Sequence, residues 1–293
     1  MATSPLLRTL LGTNALLVSS HSNNMILSLQ NGSWTTASGL PGVRGLAVGA
    51  GMVAAACSDG VHLFTASTGL QSALFNIVTQ NSHEIEATST GHLIACSSAK
   101  SCLTDYTFAG NTDIWTVPGV DTGTTDERSW INGVCLENDI PTYVTTLGIS
   151  NVTRGWRDEA AASRGALIHV PSSSIVLHNL FFPHTPTIVG TDVYFLNSGH
   201  GQLCKWTPGA ADYTVVGTYG GWARGLCQLD ATHFAVGVSQ GRLSAFPNLT
   251  TDPLAQPGIA IVDINTGQQI EFETIDVKEI FDIVISSNAI VGA

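Results

Sequence analysis

Apolar residues in this chain fall into short runs closed by Gly, Asn, Ser or Pro, and none sustains the 3.6-residue period of an amphipathic helix. Such runs read as short strands joined by tight turns. Six segments share one order: a polar or charged residue, an apolar strand, a turn, and a second apolar strand ending in Ser or Asn. Arg44-Gly45-Leu46 leads to 52–58, Glu84-Ile85-Glu86 to 92–98, and Asn132-Gly133-Val134 to 141–147. His184-Thr185-Pro186 leads to 193–198, Arg224-Gly225-Leu226 to 234–239, and Asp282-Ile283-Val284 begins the last unit. The leads are spaced by 40, 48, 52, 40 and 58 residues, and roughly 40 to 50 residues is the size of a four-stranded propeller blade.

The last unit stops after one strand, whereas the chain opens with an orphan second strand at 15–20 followed by another at 25–29. Joining the two ends completes a blade and leaves no open sheet edge. The expectation is an all-β chain, one domain over 1–293, folded as a six-bladed β-propeller closed by its N-terminal strands on the C-terminal blade. The runs 61–65, 202–206 and 259–264 supply outer strands, and helix is expected only as a turn near 158–163. The segment 105–129 reads as a long insertion, a lid or partner-binding loop.

A resemblance enters through Trp130-Ile131-Asn132-Gly133, Tyr143-Val144-Thr145-Thr146-Leu147-Gly148, Gly155-Trp156-Arg157, Pro183-His184-Thr185-Pro186, Leu196-Asn197-Ser198-Gly199 and Arg224-Gly225-Leu226. In that order these resemble a bacterial propeller family of unknown function, with the pattern H-L-N-G, Y-V-T-A-L-G, G-G-W-R, P-H-S-P-R, L-N-S-G and R-G-L. The resemblance spans 130–240. Trp130 stands where the family has His, and Thr187 where it has Arg. The resemblance implies the propeller fold and supplies no activity. At the level of architecture the chain is also similar to the gluconolactonase and senescence-marker propellers, and fold alone does not license their chemistry.

Composition narrows the partners. Charged residues make up 11% of the 293, against about 25% in ordinary globular proteins. Net charge is −11, which offers no basic field to a nucleic acid or an anionic membrane. No apolar run reaches the ~18 residues of a membrane span. Residues 1–20, broken by Gly12, Thr13 and Asn14, do not read as a signal peptide, so a cytoplasmic location is expected. Cys57, Cys96, Cys102, Cys135, Cys204 and Cys227 contain no C-x-x-C pair and read as buried reduced thiols. Sequons at Asn31, Asn151 and Asn248 matter only to a secreted chain.

In a propeller the leads of all six repeats converge on the central channel, so Arg44, Glu84, Asn132, His184, Arg224 and Asp282 are expected to face one cavity. Trp130, Phe182 and Trp222 stand within two residues of leads and would wall it. The first reading is a metal-free enzyme of lyase, isomerase or cyclase type on a small, partly apolar substrate with a carboxylate or carbonyl. Arg44 and Arg224 would fork the anion, and His184 and Glu84 would move protons. The second is a lactonase-like hydrolase dependent on a divalent metal such as calcium, with Glu84, Asn132 and Asp282 as oxygen donors. The third is a non-enzymatic ligand-binding or interaction scaffold. Polar leads that merely solvate the channel, or arginines that merely pair with Glu84 and Asp282, are the plain alternatives.

Overall fold

The computed structural model describes residues 4–75, 81–121, 127–157, 164–240, 251–252 and 254–290. Twenty-four strands form six four-stranded antiparallel sheets, a six-bladed β-propeller. Blade 1 contains β1 (Ala15–Ser20), β2 (Met25–Gln30) and β3 (Ser33–Ser38). Blade 2 is β4 (Leu46–Gly49), β5 (Met52–Ala56), β6 (Val61–Thr65) and β7 (Gln71–Phe75). Blade 3 is β8 (Ser82–Ala87), β9 (Leu93–Ser97), β10 (Cys102–Thr107) and β11 (Gly110–Thr116). Blade 4 is β12 (Ile131–Glu137), β13 (Ile140–Thr146), β14 (Gly165–His169) and β15 (Ser174–Leu180). Blade 5 is β16 (Pro183–Val189), β17 (Asp192–Asn197), β18 (Gln202–Trp206) and β19 (Thr214–Thr218). Blade 6 is β20 (Trp222–Gln228), β21 (His233–Ser239), β22 (Gly258–Asp263) and β23 (Gln269–Thr274).

The ring closes where β24 (Asp282–Ser286) pairs with β1 and becomes the innermost strand of blade 1, in the register Ala15↔Ser286 to Ser19↔Asp282. Both strands bring apolar residues to this join, with Leu16, Leu17, Val18 and Ile283 almost fully buried. The first strands of successive blades touch in a closed cycle. Two sequence features of the repeat serve that contact. Serines at the ends of second strands reach the next blade: Ser19 Oγ donates to Arg44 O, Ser98 Oγ to Ile131 O at 2.6 Å, and Ser239 Oγ to Ile280 O at 3.3 Å. The glycine after three of the leads lets the next inner strand pass close by. A Cβ on Gly45 would meet Glu84 Cα at 2.6 Å, one on Gly133 would meet Thr185 N at 2.9 Å, and one on Gly225 would meet Ile283 N at 2.9 Å.

Two segments differ from expectation. A helix, α1 (Pro5–Leu11), precedes the first strand and packs Leu7 and Leu11 on the core beside Leu16 and Leu29. Its signals are local: Ser4 Oγ accepts from Leu7 N, Pro5 opens the first turn and Gly12 ends it. Of the insertion expected over 105–129, half of the described part is regular sheet. Residues 110–116 form β11, the outer edge of blade 3, whose exposed polar face hides the strand from an apolar-run search. Residues 122–126 of that segment, and the helical turn expected near 158–163, lie outside the described residues; Gly155–Arg157 just before it is a short 3₁₀ turn. All six cysteines are free, five of them buried. Among the described residues no helix is long and apolar enough to cross a membrane.

Candidate functional site

At one mouth of the channel lies a cavity of about 210 Å³, the share of roughly seven waters. Its wall is built where inner strands begin. Trp130 precedes β12, Phe182 precedes β16, Trp222 opens β20 and Phe281 precedes β24, while the Gly155–Arg157 turn lays Trp156 against Trp130 at a ring separation of 4.6 Å. The polar groups converging on this aromatic girdle are Arg44, Arg157, Arg224, Glu279 and the imidazoles of His21, His83 and His184. A larger hollow of about 440 Å³ beside α1 is lined by Pro5, Arg8 and Thr9 among others. It lacks both the girdle and the convergence of ionisable groups, so the axial cavity is the candidate site.

His184 is 3% exposed, and its Nδ1 lies 2.8 Å from both Phe182 O and Ser198 Oγ. A carbonyl oxygen only accepts, so Nδ1 carries the hydrogen and Nε2 is the basic nitrogen of the neutral ring. Arg224 is 4% exposed. Its guanidinium lies over the Phe281 ring at 4.2 Å and near the Trp222 ring at 5.5 Å, a cation held by aromatic faces. Burial pushes the Arg44 guanidinium below its ordinary value, partly opposed by Cys57 and Glu127. Arg157 lies over Trp156 at 4.8 Å on the exposed rim. Among the described residues the buried Trp156 Nε1–H has no hydrogen-bond partner, leaving a desolvated donor in a cavity-lining ring.

The structure thus brings together Arg44, His184 and Arg224 with Trp130, Phe182 and Trp222, and places the other three leads elsewhere. Glu84 does not line the cavity: Oε1 accepts from Val134 N at 3.2 Å and Oε2 from Thr185 Oγ1 at 3.3 Å. Asp282 accepts from Leu46 N and Ile283 N, both at 2.8 Å. Asn132 donates to Pro183 O at 2.7 Å and accepts from Thr145 Oγ1 at 3.0 Å. These three side chains tie inner strands together. Burial raises Glu84 well above the usual carboxylate range, with Asp282 and Glu86 adding to the shift, and burial raises Asp282 to about 7. Carboxyls that favour the proton and already accept backbone N–H bonds make poor calcium ligands. Neither joins any group of three His, Cys, Asp or Glu side chains close enough to share an ion among the described residues. The expectation of Glu84, Asn132 and Asp282 as a metal set, and of Glu84 as a proton donor in the cavity, is corrected accordingly.

The cause is local. The inner strands of blades 3 to 6 each carry a β-bulge at or beside the lead: Ser82↔Ser97 is followed by Ile85↔Ala95, Ile131↔Thr146 by Gly133↔Thr145, His184↔Leu196 by Thr187↔Tyr194, and Ala223↔Val238 by Leu226↔Val236. A bulge can shift which side chain faces the axis, yet in blades 5 and 6 the leads His184 and Arg224 still line the cavity. In blade 3 His83 faces the cavity in place of Glu84, and in blade 4 Trp130 does so in place of Asn132. Phe281, Trp156, Arg157 and Glu279 were not among the candidates. An aromatic residue one or two positions before a lead is the signal for Phe281, as it is for Trp130, Phe182 and Trp222; Trp156 and Arg157 are marked only by the Gly155-Trp156-Arg157 motif of the resemblance, and nothing local marks Glu279.

Solved structures share the architecture at low identity. A chain in a nidogen/laminin complex superposes with a TM-score of 0.67 at 10% identity, over 93% of this chain and 98% of that one. A protein of unknown function from Bacteroides caccae gives 0.64 at 13% identity, over 94% and 99%. No curated protein matches in sequence. The model of Domain of unknown function (DUF4915) matches residues 67–291, a span containing five of the six blade leads, and the chain belongs to that family.

Proposed function

We propose that the axial cavity receives a small anionic molecule with an apolar or aromatic body and transforms it by metal-free proton transfer, as a lyase, isomerase or cyclase. One observation carries this reading: three of the chain's 11 basic residues, Arg44, Arg157 and Arg224, line one cavity in a molecule of net charge −11. The cavity lining carries three guanidinium groups against the one carboxylate of Glu279, an excess of positive charge that favours an entering anion. A carboxylate between Arg44 and Arg224 would meet forked donors, with the Trp156 indole N–H as a further donor and the ring faces enclosing the body. His184 Nε2 is the proton acceptor, its tautomer held by Phe182 O. Proton abstraction beside a carboxylate or carbonyl is the step these groups suit.

The test is thermal stabilisation of the full chain by small aromatic and aliphatic carboxylates, each paired with its carboxamide. Carboxylates are expected to raise Tm and amides not, and Arg224→Gln to abolish the difference. Equal responses to acid and amide overturn the anionic reading. For a carboxylate that binds, incorporation of solvent deuterium reports proton transfer; exchange that persists in His184→Ala removes His184 from the mechanism.

A further inference from the structure

Outside the axial cavity, the turn between β5 and β6 assembles a donor set that the reading above does not use. Cys57 Sγ, an Asp59 carboxylate oxygen and a His62 ring nitrogen lie within 4.8 Å of one another. We infer that this turn is a binding site for a zinc-like divalent ion, held by Cys57, Asp59 and His62, with its remaining position open to solvent.

The geometry comes from the chain's local path. Cys57 N donates to Gly60 O at 2.8 Å and Gly60 N to Cys57 O at 3.4 Å, a tight loop that turns residues 57 and 59 toward His62 on the next strand. Ser58 N donates to Pro41 O at 2.7 Å and anchors the loop from outside. His62 Nε2 lies 3.0 Å from Asp59 Oδ1. Around a tetrahedral ion with ligands at 2.0 to 2.3 Å, neighbouring donor atoms are roughly 3.3 to 3.5 Å apart. The carboxylate and imidazole already stand near that spacing, and a side-chain rotation of the thiol completes the triangle. A hydrogen-bonded Asp–His pair is common in turns; the buried sulfur facing the same point distinguishes this one.

Burial and charge are consistent with an ion. Cys57 and His62 are each 6% exposed, whereas the Asp59 side chain is 43% exposed. Two ligands are therefore fixed by the core and the third borders water, the arrangement in which zinc keeps an open coordination position. The Gln71 carboxamide nitrogen Nε2 lies 3.2 Å from His62 Nδ1, and the carboxamide can turn end for end in place. With its oxygen turned to that nitrogen it would accept the Nδ1 hydrogen and leave Nε2 free to coordinate, an outer-shell support typical of metal-bound histidine. A thiolate and a carboxylate together offset a divalent charge, so nearby Arg44 would border a neutral centre. The S, N and O donors favour zinc, cobalt or nickel over calcium or magnesium. In sequence the motif is Cys-x-Asp-x-x-His, six residues long.

The experiment is a titration of chelator-treated full-length protein with Co²⁺ alone, read by absorption. The expected result is one equivalent bound, with a thiolate-to-cobalt charge-transfer band that is lost in Cys57→Ser. Asp59→Asn alters an exposed side chain and should keep the fold, while weakening Co²⁺ binding on the order of tenfold or more. His62→Gln should weaken it at least as far. Absence of the band in the wild-type protein, its persistence in Cys57→Ser, or unchanged affinity in Asp59→Asn overturns the inference. The axial-cavity reading is untouched by any of these results, since none of the three residues lines that cavity.

Discussion

The two ends of the channel differ in charge although the same inner strands build both. At the cavity end stand three arginines and three histidines with Glu279. Deeper along the channel stand Glu84 and Asp282, and then Glu86, which opens on a cleft at the opposite face lined by Ala87, Asn138, Asp139 and Thr187 among others. Within β8 the change takes place between His83 and Glu84. The acids are engaged with backbone N–H groups or shifted toward their neutral forms, so they do not cancel the arginine charge at the other end. The difference separates the leads into two groups: those at the cavity place polar and charged side chains at the pocket, and those along the wall tie inner strands together.

Gly225 joins the two regions, following cavity-lining Arg224 and touching the strand of Asp282. Its φ is +71°, and a Cβ would lie 2.9 Å from Asp282 C and from Ile283 N and Cγ1. Gly225→Ala therefore adds backbone strain to a backbone clash. A loss of about 3 kcal/mol is expected, read as a lower denaturation midpoint; a midpoint unchanged within error would mean that the blade contact is loose. Next in size is the charge of the cavity. Arg224→Gln removes the charge and the forked donors, leaves a shorter polar side chain, and should weaken a bound carboxylate on the order of a hundredfold, measured by calorimetry, while Glu86→Gln at the far end should leave that affinity unchanged. Equal losses in the two variants would erase the distinction between the ends.

The far end sharpens the comparison through pH. Burial, assisted by the charge of Asp282, raises Glu86 to about 8, and burial raises Asp282 to about 7, against about 4 in an unfolded chain. The folded protein therefore holds protons that the unfolded chain releases. The stability these groups contribute is complete below about pH 4 and is lost as pH rises through 7 to 8. Tm should fall between pH 5 and 9, and Glu86→Gln should flatten that fall. An identical slope in wild type and variant would show Glu86 to be solvated and ordinary.

Much of the wheel is legible in the chain because its grammar is physical. Ser at second-strand ends and Gly after Arg44, Asn132 and Arg224 mark inter-blade contacts, and they can be read before any coordinates are known. Arg44 and Arg224 share one context, and both reach the cavity. Glu84 and Asn132 are misplaced because the lead position alone does not say which side chain faces the axis: a bulge lies at or beside each of Glu84, Asn132, His184 and Arg224, and only the last two reach the cavity. Asp282 comes from the blade whose two ends meet, where Phe281 takes the cavity-facing place. Edge strand β11 escapes the apolar-run search because neither face is deeply buried. The signals of α1 at Ser4, Pro5 and Gly12 are ordinary helix boundaries that a search for repeats passes over.

The smallest expected effect tests how the cavity end recognises its ligand. Trp156 packs on Trp130 and lies beneath Arg157, and among the described residues its buried Nε1–H has no partner. Without ligand, such a donor costs about 1 to 3 kcal/mol relative to one that is paired. Trp156→Phe removes that cost and also leaves a smaller ring, so the two changes oppose and stability should move by less than about 1 kcal/mol. With a carboxylate bound, Nε1–H gains an acceptor, and the same substitution should lower affinity by about 1 kcal/mol, roughly fivefold. Near-neutral stability with weakened binding is the signature of a donor that works only in the complex. If affinity is unchanged, the anion sits on the Arg44 and Arg224 side of the pocket and Trp156 serves only as wall.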